Sequence, residues 1–313
     1  MKYDNLILFD WFSFTAKHLD EVGIVQLLGL DISSFETTYG VRGYAHRLYY
    51  DGININFGGE GKEEVWCEMS GQGCRAFESF GHGKWNLLFE EILSCKDYNI
   101  TRLDVAFDDH IGLFDLRQLA SYVHKNYIVS DFRKHGVIYD YMGDQEAITI
   151  YHGSSKSDLY FRIYDKAIER NREDEGHWVR FEIQMRDNHA SNFLNLMVMQ
   201  NVGEVFAKTI NKYIRYVEPS TDSNKRRWPV ADFWYNFISI SEKVSLYQAP
   251  GTEYNFDALE RYVVDQAGAA TAAYVKFVGV DTFIEKCMIK FALTRNPKYN
   301  ELLDRYQRLE SVM

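Results

Sequence analysis

At 313 residues the chain is long enough for one large domain or two, and 46% hydrophobic and 16% aromatic content support a substantial core rather than a disordered polymer. A net charge of −10 argues against loose binding to nucleic acid, which rests on phosphate neutralisation, but leaves room for a local basic groove on an acidic body. Four cysteines with no Cys-x-x-Cys pair, no secretion signal and no stretch of membrane-spanning length point to reduced thiols in the cytoplasm, no membrane partner and no zinc site.

Residues 5–15 read as the first strand, and 18–28 as a helix carrying Leu19, Val22, Val25 and Leu28 on one side. Residues 40–50 and 52–57 form a hairpin turning at Asp51-Gly52. A strand over 64–70 runs through a glycine-rich turn into a helix over 74–80, and 85–94 is a second helix. Gly71 and Gly73 in that turn read either as a phosphate cradle or as a tight turn, and a lone Gly-x-Gly is weak evidence for the former. A strand over 100–108 precedes an amphipathic helix over 113–126 that starts near Asp115. Residues 127–146 read as a polar connection or hairpin. Strands over 147–152 and 159–166 make a further hairpin, 168–174 is a charged extension, and a strand over 178–186 closes the sheet. After about residue 190 helical periodicity takes over, at 193–216, 256–278, 282–293 and 298–309. The expected fold is α+β, a largely antiparallel central sheet with helices on one face, followed by a helical C-terminal region. The expected division is a catalytic domain over 1–217 and a C-terminal region over 218–313.

Candidate chemistry lies on the polar faces of four alternating strands. In 159–166, Leu159, Phe161 and Ile163 are apolar, while Tyr160, Arg162, Tyr164 and Lys166 lie opposite. A phenol between two cations is easier to deprotonate, and its oxyanion can attack phosphorus. Asp104 and Asp108 sit on the polar side of 100–108, Arg180 and Glu182 on that of 178–186, and Glu68 on that of 64–70. If these strands share a sheet, Glu68, Asp104 and Glu182 converge with Tyr164, and an all-oxygen acidic cluster suits Mg²⁺ or Mn²⁺. Plainer readings stand beside these. Tyr164 is one of 22 tyrosines, with Tyr160 its competitor on the same face. Asp104 reads also as a salt-bridge partner of Arg102 or Arg180, Glu182 as a cross-strand partner of Arg180, and Lys166 as a solvated strand end. His152, on the Ile148/Ile150 face, reads as structural or as a ligand. Lys225, Arg226, Arg227 and Trp228 read as a DNA contact or a solvated linker.

The segments Ile100-Thr-Arg-Leu-Asp-Val-Ala-Phe-Asp108, Phe161-Arg-Ile-Tyr-Asp-Lys166 and Trp178-Val-Arg-Phe-Glu182, preceded by Glu68-Met-Ser-Gly-Gln-Gly-Cys-Arg75, resemble the replication initiation factor (Rep_trans) family over roughly residues 5–290. That family holds rolling-circle plasmid replication initiators and conjugative-element relaxases. The resemblance implies a nicking and strand-transfer enzyme whose tyrosine, here Tyr164, attacks a DNA phosphate at the origin, leaving a 5′-phosphotyrosine and a free 3′-OH. Lys166 and Arg162 accompany it. The implied metal ligands are acidic, Asp104 and Glu182 with Glu68; on the pattern of the residues themselves Asp108, His152 and Arg180 stand behind them. The partners so implied are single-stranded or cruciform origin DNA, a host helicase and a second copy of the chain. The rival readings are a metal nuclease in which water attacks, a tyrosine recombinase, against which the carboxylates argue, and a catalytically silent origin-binding protein.

Overall fold

The computed structural model describes residues 5–142, 145–172, 176–246, 263–264 and 268–293. Ten strands form one antiparallel sheet in the order β2-β3-β4-β5-β1-β6-β11-β10-β9-β8. They are β1 (Leu6–Ala16), β2 (Glu36–Tyr39), β3 (His46–Tyr50), β4 (Ile53–Phe57), β5 (Val65–Ser70), β6 (Tyr98–Asp109), β8 (His135–Met142), β9 (Gln145–Gly153), β10 (Leu159–Asp165) and β11 (Val179–Arg186). A separate two-stranded ladder joins β7 (Ile128–Ser130) to β12 (Ile214–Tyr216). The helices are α1 (Glu21–Leu27), α2 (Gly71–Phe80), α3 (Trp85–Ser94), α4 (Leu116–His124), α5 (Lys166–Glu169), α6 (Asp187–Met197), α7 (Val202–Tyr213), α8 (Asp232–Ser241), α9 (Gly268–Val278) and α10 (Val280–Leu293).

Alternation explains the layering. The apolar positions of the long central strands point to one side, where the helices bury them. Phe9 packs on Trp85 and Phe89 of α3, while Phe107 and Phe181 pack on Phe206 of α7 and Phe237 of α8. The helix starts follow local chemistry: Asp20, Ser70 and Asp115 each accept hydrogen bonds from backbone N–H groups of α1, α2 and α4.

The structure departs from the sequence expectations in several places. The 178–186 strand does not close the sheet. It lies inside it, paired with β6 on one side and β10 on the other. The single helix expected over 193–216 is two helices and a strand, because Gln200 and Asn201 interrupt it and Asn201 caps α7 through the Gly203 N–H. Lys166 opens α5 rather than ending a strand, and the charged extension begins with that short helix, capped by Asp165. The sheet's polar side is also buried across its centre, and β11 is buried over seven of its eight residues.

No break in packing occurs at residue 218. Val217 bridges to Val230, Leu246 bridges back to Ile7, and Trp234 and Phe237 of α8 are fully buried in the same core. Of the C-terminal helices expected, 282–293 lies within α10 and the end of 256–278 within α9, while 298–309 falls outside the described residues.

Candidate active site

The site lies on the sheet face opposite the one that α3, α7 and α8 bury, where β1, β6, β11 and β10 run adjacent. Register places Arg162 opposite Glu182, Tyr164 opposite Arg180, and Arg180 opposite Asp108. The Tyr164 hydroxyl donates to Glu182 Oε2 at 3.1 Å and accepts from Lys166 Nζ at 3.3 Å. The Arg162 guanidinium lies 5.3 Å from the Tyr164 ring centroid and is ion-paired to Glu182 Oε1. Lys166, only 2% exposed, reaches out to Glu169 at 2.6 Å. Arg102 grips Asp104 through Nε at 2.9 Å while lying 4.3 Å over the Trp11 ring. Arg180 donates to both Asp108 oxygens, at 2.6 and 2.8 Å.

Buried charges persist only when paired, and here acid and base alternate across four strands. Asp104 and Glu182 are 3% and 2% exposed, Tyr164 8%. Burial, with Glu182 and Asp10 adding to it, pushes the Asp104 carboxyl up to about 7 against the pull of Arg102. The Tyr164 phenol is driven upward, first by burial and then by Glu182, and the nearby arginines do not offset this. The expectation that flanking cations ease its ionisation is therefore reversed in this state: the phenol is held protonated, as a donor to a carboxylate. Burial and Arg180 push Lys166 below the usual lysine range.

One member of this network was missed from sequence. Asp10 is the extra residue of a β-bulge, since Phe9 pairs with Val105 and Trp11 with the adjacent Asp104. The bulge turns its carboxylate to the polar side, 2.9 Å from Arg180 Nη1. Burial raises Asp10, but Arg180 and Lys166 prevail and hold it below the usual carboxylate value. A Cβ at Gly71 would stand 2.6 Å from Asp10 Oδ1, so this glycine makes room for the acid. Gly73 packs similarly on the Gly52 carbonyl, 2.4 Å from where a Cβ would sit, so both glycines have packing reasons. The signal for Asp10 was present: an aspartate interrupting the apolar run Leu6-Ile-Leu-Phe-Asp-Trp-Phe12, where a strand disfavours it.

Two family models match. One, described as replication initiation factor, matches residues 98–286, more than half of the chain; the other, the rolling circle replication initiation protein N-terminal domain, matches residues 6–94. The chain belongs to the replication initiation factor family. It is 28% identical over 260 residues to the putative DNA relaxase NicK of Bacillus subtilis (strain 168), spanning 77% of this chain and 72% of that protein. Its fold matches the rolling circle replication initiator protein from Geobacillus stearothermophilus with a TM-score of 0.73 and 29% identity, over 78% of this chain and 99% of that one. As a replication initiation factor the chain is a DNA-nicking protein of the rolling-circle and relaxase type, and such proteins act on origin DNA and in general use a divalent metal. Among the described residues, no helix is long and apolar enough to cross a membrane.

The initiator's other expected residues are placed less centrally. Glu68 faces Ser13 on β5, beside Arg42 and Arg102, and burial raises its carboxyl. It does not join Asp104 and Glu182 at ligating range: among the described residues, the one group of three His, Cys, Asp or Glu side chains with ligand atoms within 4.8 Å of each other is His18, Cys95 and Asp97. His152 lies on the opposite, helix side, fully buried between His135 at 2.7 Å and the Tyr216 hydroxyl at 2.9 Å, so it does not support the acidic site. Lys225, Arg226 and Arg227 form a 3₁₀ turn next to the end of α4. Lys225 donates to Asn126, Arg227 pairs with Asp222, and Trp228 donates to the Asp222 carbonyl instead of presenting a free ring edge.

Proposed function

We propose that Tyr164 is the nucleophile of a metal-dependent nicking reaction that starts rolling-circle replication or conjugative transfer. The observation that carries this reading is the Tyr164 hydroxyl held between Glu182 and Lys166 on the acidic side of the sheet. The hydroxyl oxygen attacks the phosphorus of an unpaired origin strand, the bond to the 3′ oxygen breaks, and a 5′-phosphotyrosine and a 3′-OH result. Glu182 Oε2 is the nearest acceptor for the phenol proton, and the Lys166 ammonium steadies the phenolate as it develops. Arg162, partly exposed beside the tyrosine, is placed to meet the non-bridging phosphate oxygens. Because the covalent link conserves the phosphodiester energy, the same strand can later be rejoined.

Asp104 and Glu182 supply a pair of oxygen donors whose chemistry suits Mg²⁺ or Mn²⁺, with Asp10 held by Arg180 behind them. The upward shift of Asp104 comes first from burial, and a cation would add to the pull that Arg102 already exerts on it. Such an ion supplies charge that offsets the negative oxygens of the reacting phosphate. Glu68, beyond Arg102, serves as an outer acid. Asp108 acts indirectly, holding Arg180 in place beneath the site. We assign the Lys225–Arg227 turn to duplex phosphates flanking the nick, and residues beyond 218 to partner contacts that include a helicase or a second copy. The reaction belongs in the cytoplasm, where origin DNA is found.

Incubating the protein with a single-stranded origin oligonucleotide and Mn²⁺, followed by denaturing electrophoresis, tests the reading. The wild-type chain should give cut DNA and a slower protein band, and Tyr164→Phe should give neither. Cutting that persists in Tyr164→Phe would assign the attack to water. Neither product from the wild type would leave a silent origin-binding protein.

A further inference from the structure

The geometry points to a second metal site, remote from the nicking centre, in which His18, Cys95 and Asp97 bind a zinc-class cation through nitrogen, sulfur and oxygen. Their ligand atoms lie within 4.8 Å of one another, although His18 is far in sequence from Cys95 and Asp97. The fold brings them together. Ala16 at the end of β1 pairs with Tyr98 at the start of β6, and the Lys17 N–H donates to the Asp97 carbonyl at 3.0 Å. His18 therefore leaves β1 beside the Cys95–Asp97 turn that links α3 to β6. Its imidazole packs edge-on against the Tyr98 ring, with centroids 4.6 Å apart at 85°, which limits its swing.

Tetrahedral zinc with bonds of about 2.0–2.3 Å needs donors about 3.3–3.8 Å apart. The required closure is of the order of an ångström, and the exposed Asp97 side chain can supply it by rotamer adjustment. Three protein ligands leave a fourth position for water. Thiolate and imidazole select zinc, cobalt and nickel over magnesium, whereas the carboxylates around Tyr164 have the reverse preference. The two centres lie well apart along β6: Tyr98 and Asp104 are six residues apart on that strand, roughly 20 Å at the rise of a strand. A metal here pins the exit of β1 to the entry of β6, the central pair of the sheet. It stabilises the fold and takes no part in nicking, so the inference stands apart from the role given to Tyr164.

The test uses the full, reduced chain in excess Mg²⁺, titrated with Co²⁺ as a coloured substitute for zinc. Wild type and Cys287→Ser, which removes the exposed thiol, should each bind one cobalt with a thiolate-to-cobalt charge-transfer band, displaced by Zn²⁺. Cys95→Ser should lose the band, His18→Ala should weaken binding by about tenfold or more, and both should keep wild-type nicking. Zinc should also shield Cys95, but not Cys287, from alkylation. The site is disproved if wild type gives no charge-transfer band or if the band survives in Cys95→Ser.

Discussion

Tyr164, Glu182 and Arg162 could be aligned from sequence because period-two alternation puts every second residue of a strand on one face, and cross-strand register does the rest. Asp10 could not, because a bulge breaks that alternation and its position depends on pairing with β6. His152 stayed open between two readings for the converse reason. A histidine at a strand end reads alike as ligand or core, and only the partners His135 and Tyr216 decide. Sequence gave no hint of the acid–base pair of Asp109 with His177, whose Nε2 lies 3.0 Å from Asp109 Oδ2. The hydrogen bond to Asp109 raises His177 despite burial. Burial raises Asp109, but His177 and the backbone N–H groups after it prevail and lower it. The histidine's contribution is thus full below its ordinary value near 6.5 and is lost as pH rises through its elevated folded value. The aspartate's is present above its ordinary value near 3.9 and is lost as pH falls through its depressed one. His177→Gln should therefore lower thermal stability at pH 6 more than at pH 9, by under about 1 kcal/mol because the imidazole is partly solvated. Melting curves at the two pH values check this, and equal losses at both would contradict it.

The elements were legible where periodicity was long and unbroken. Residues 85–94 are helical as expected, and β6 and β11 differ from expectation by a residue or two at their ends. β2 and β7 are too short to announce themselves, and the asparagine that splits 193–216 into α6 and α7 acts through a cap that periodicity ignores. Burial of the sheet's polar side was also beyond reach, since polar residues on a strand normally mark solvent and here mark paired charges. α8 carries the clearest consequence. Trp234 and Phe237 are fully buried against the aromatic cluster of β6, β11 and α7. Losing one such side chain costs about 3–5 kcal/mol, against a total stability of about 5–15 kcal/mol. A chain ended after Val217 should therefore fail to fold cooperatively, as followed by near-ultraviolet circular dichroism during urea titration. A sharp transition at the wild-type midpoint would make 1–217 a domain in its own right.

For the whole molecule, an acidic chain that handles DNA is reconciled by where its charge sits. A net −10 suppresses loose attraction to duplex, while Arg102, Arg162, Arg180 and Lys166 concentrate positive charge beside the acids on one sheet face. Sequence motifs conveyed the family because Tyr164, Asp104 and Glu182 lie on regular strands. They did not convey the His18, Cys95 and Asp97 grouping, which exists only because two loops meet at the sheet's far end. The central claim is that one phenol, and not its neighbour on the same face, takes the DNA. Trapping the reaction with an origin oligonucleotide, digesting the adduct and mapping the nucleotide-bearing peptide by mass spectrometry tests it directly. The linked phosphate should sit on Tyr164; a phosphate found on Tyr160, or on no tyrosine of a chain that nevertheless cuts, would contradict the account.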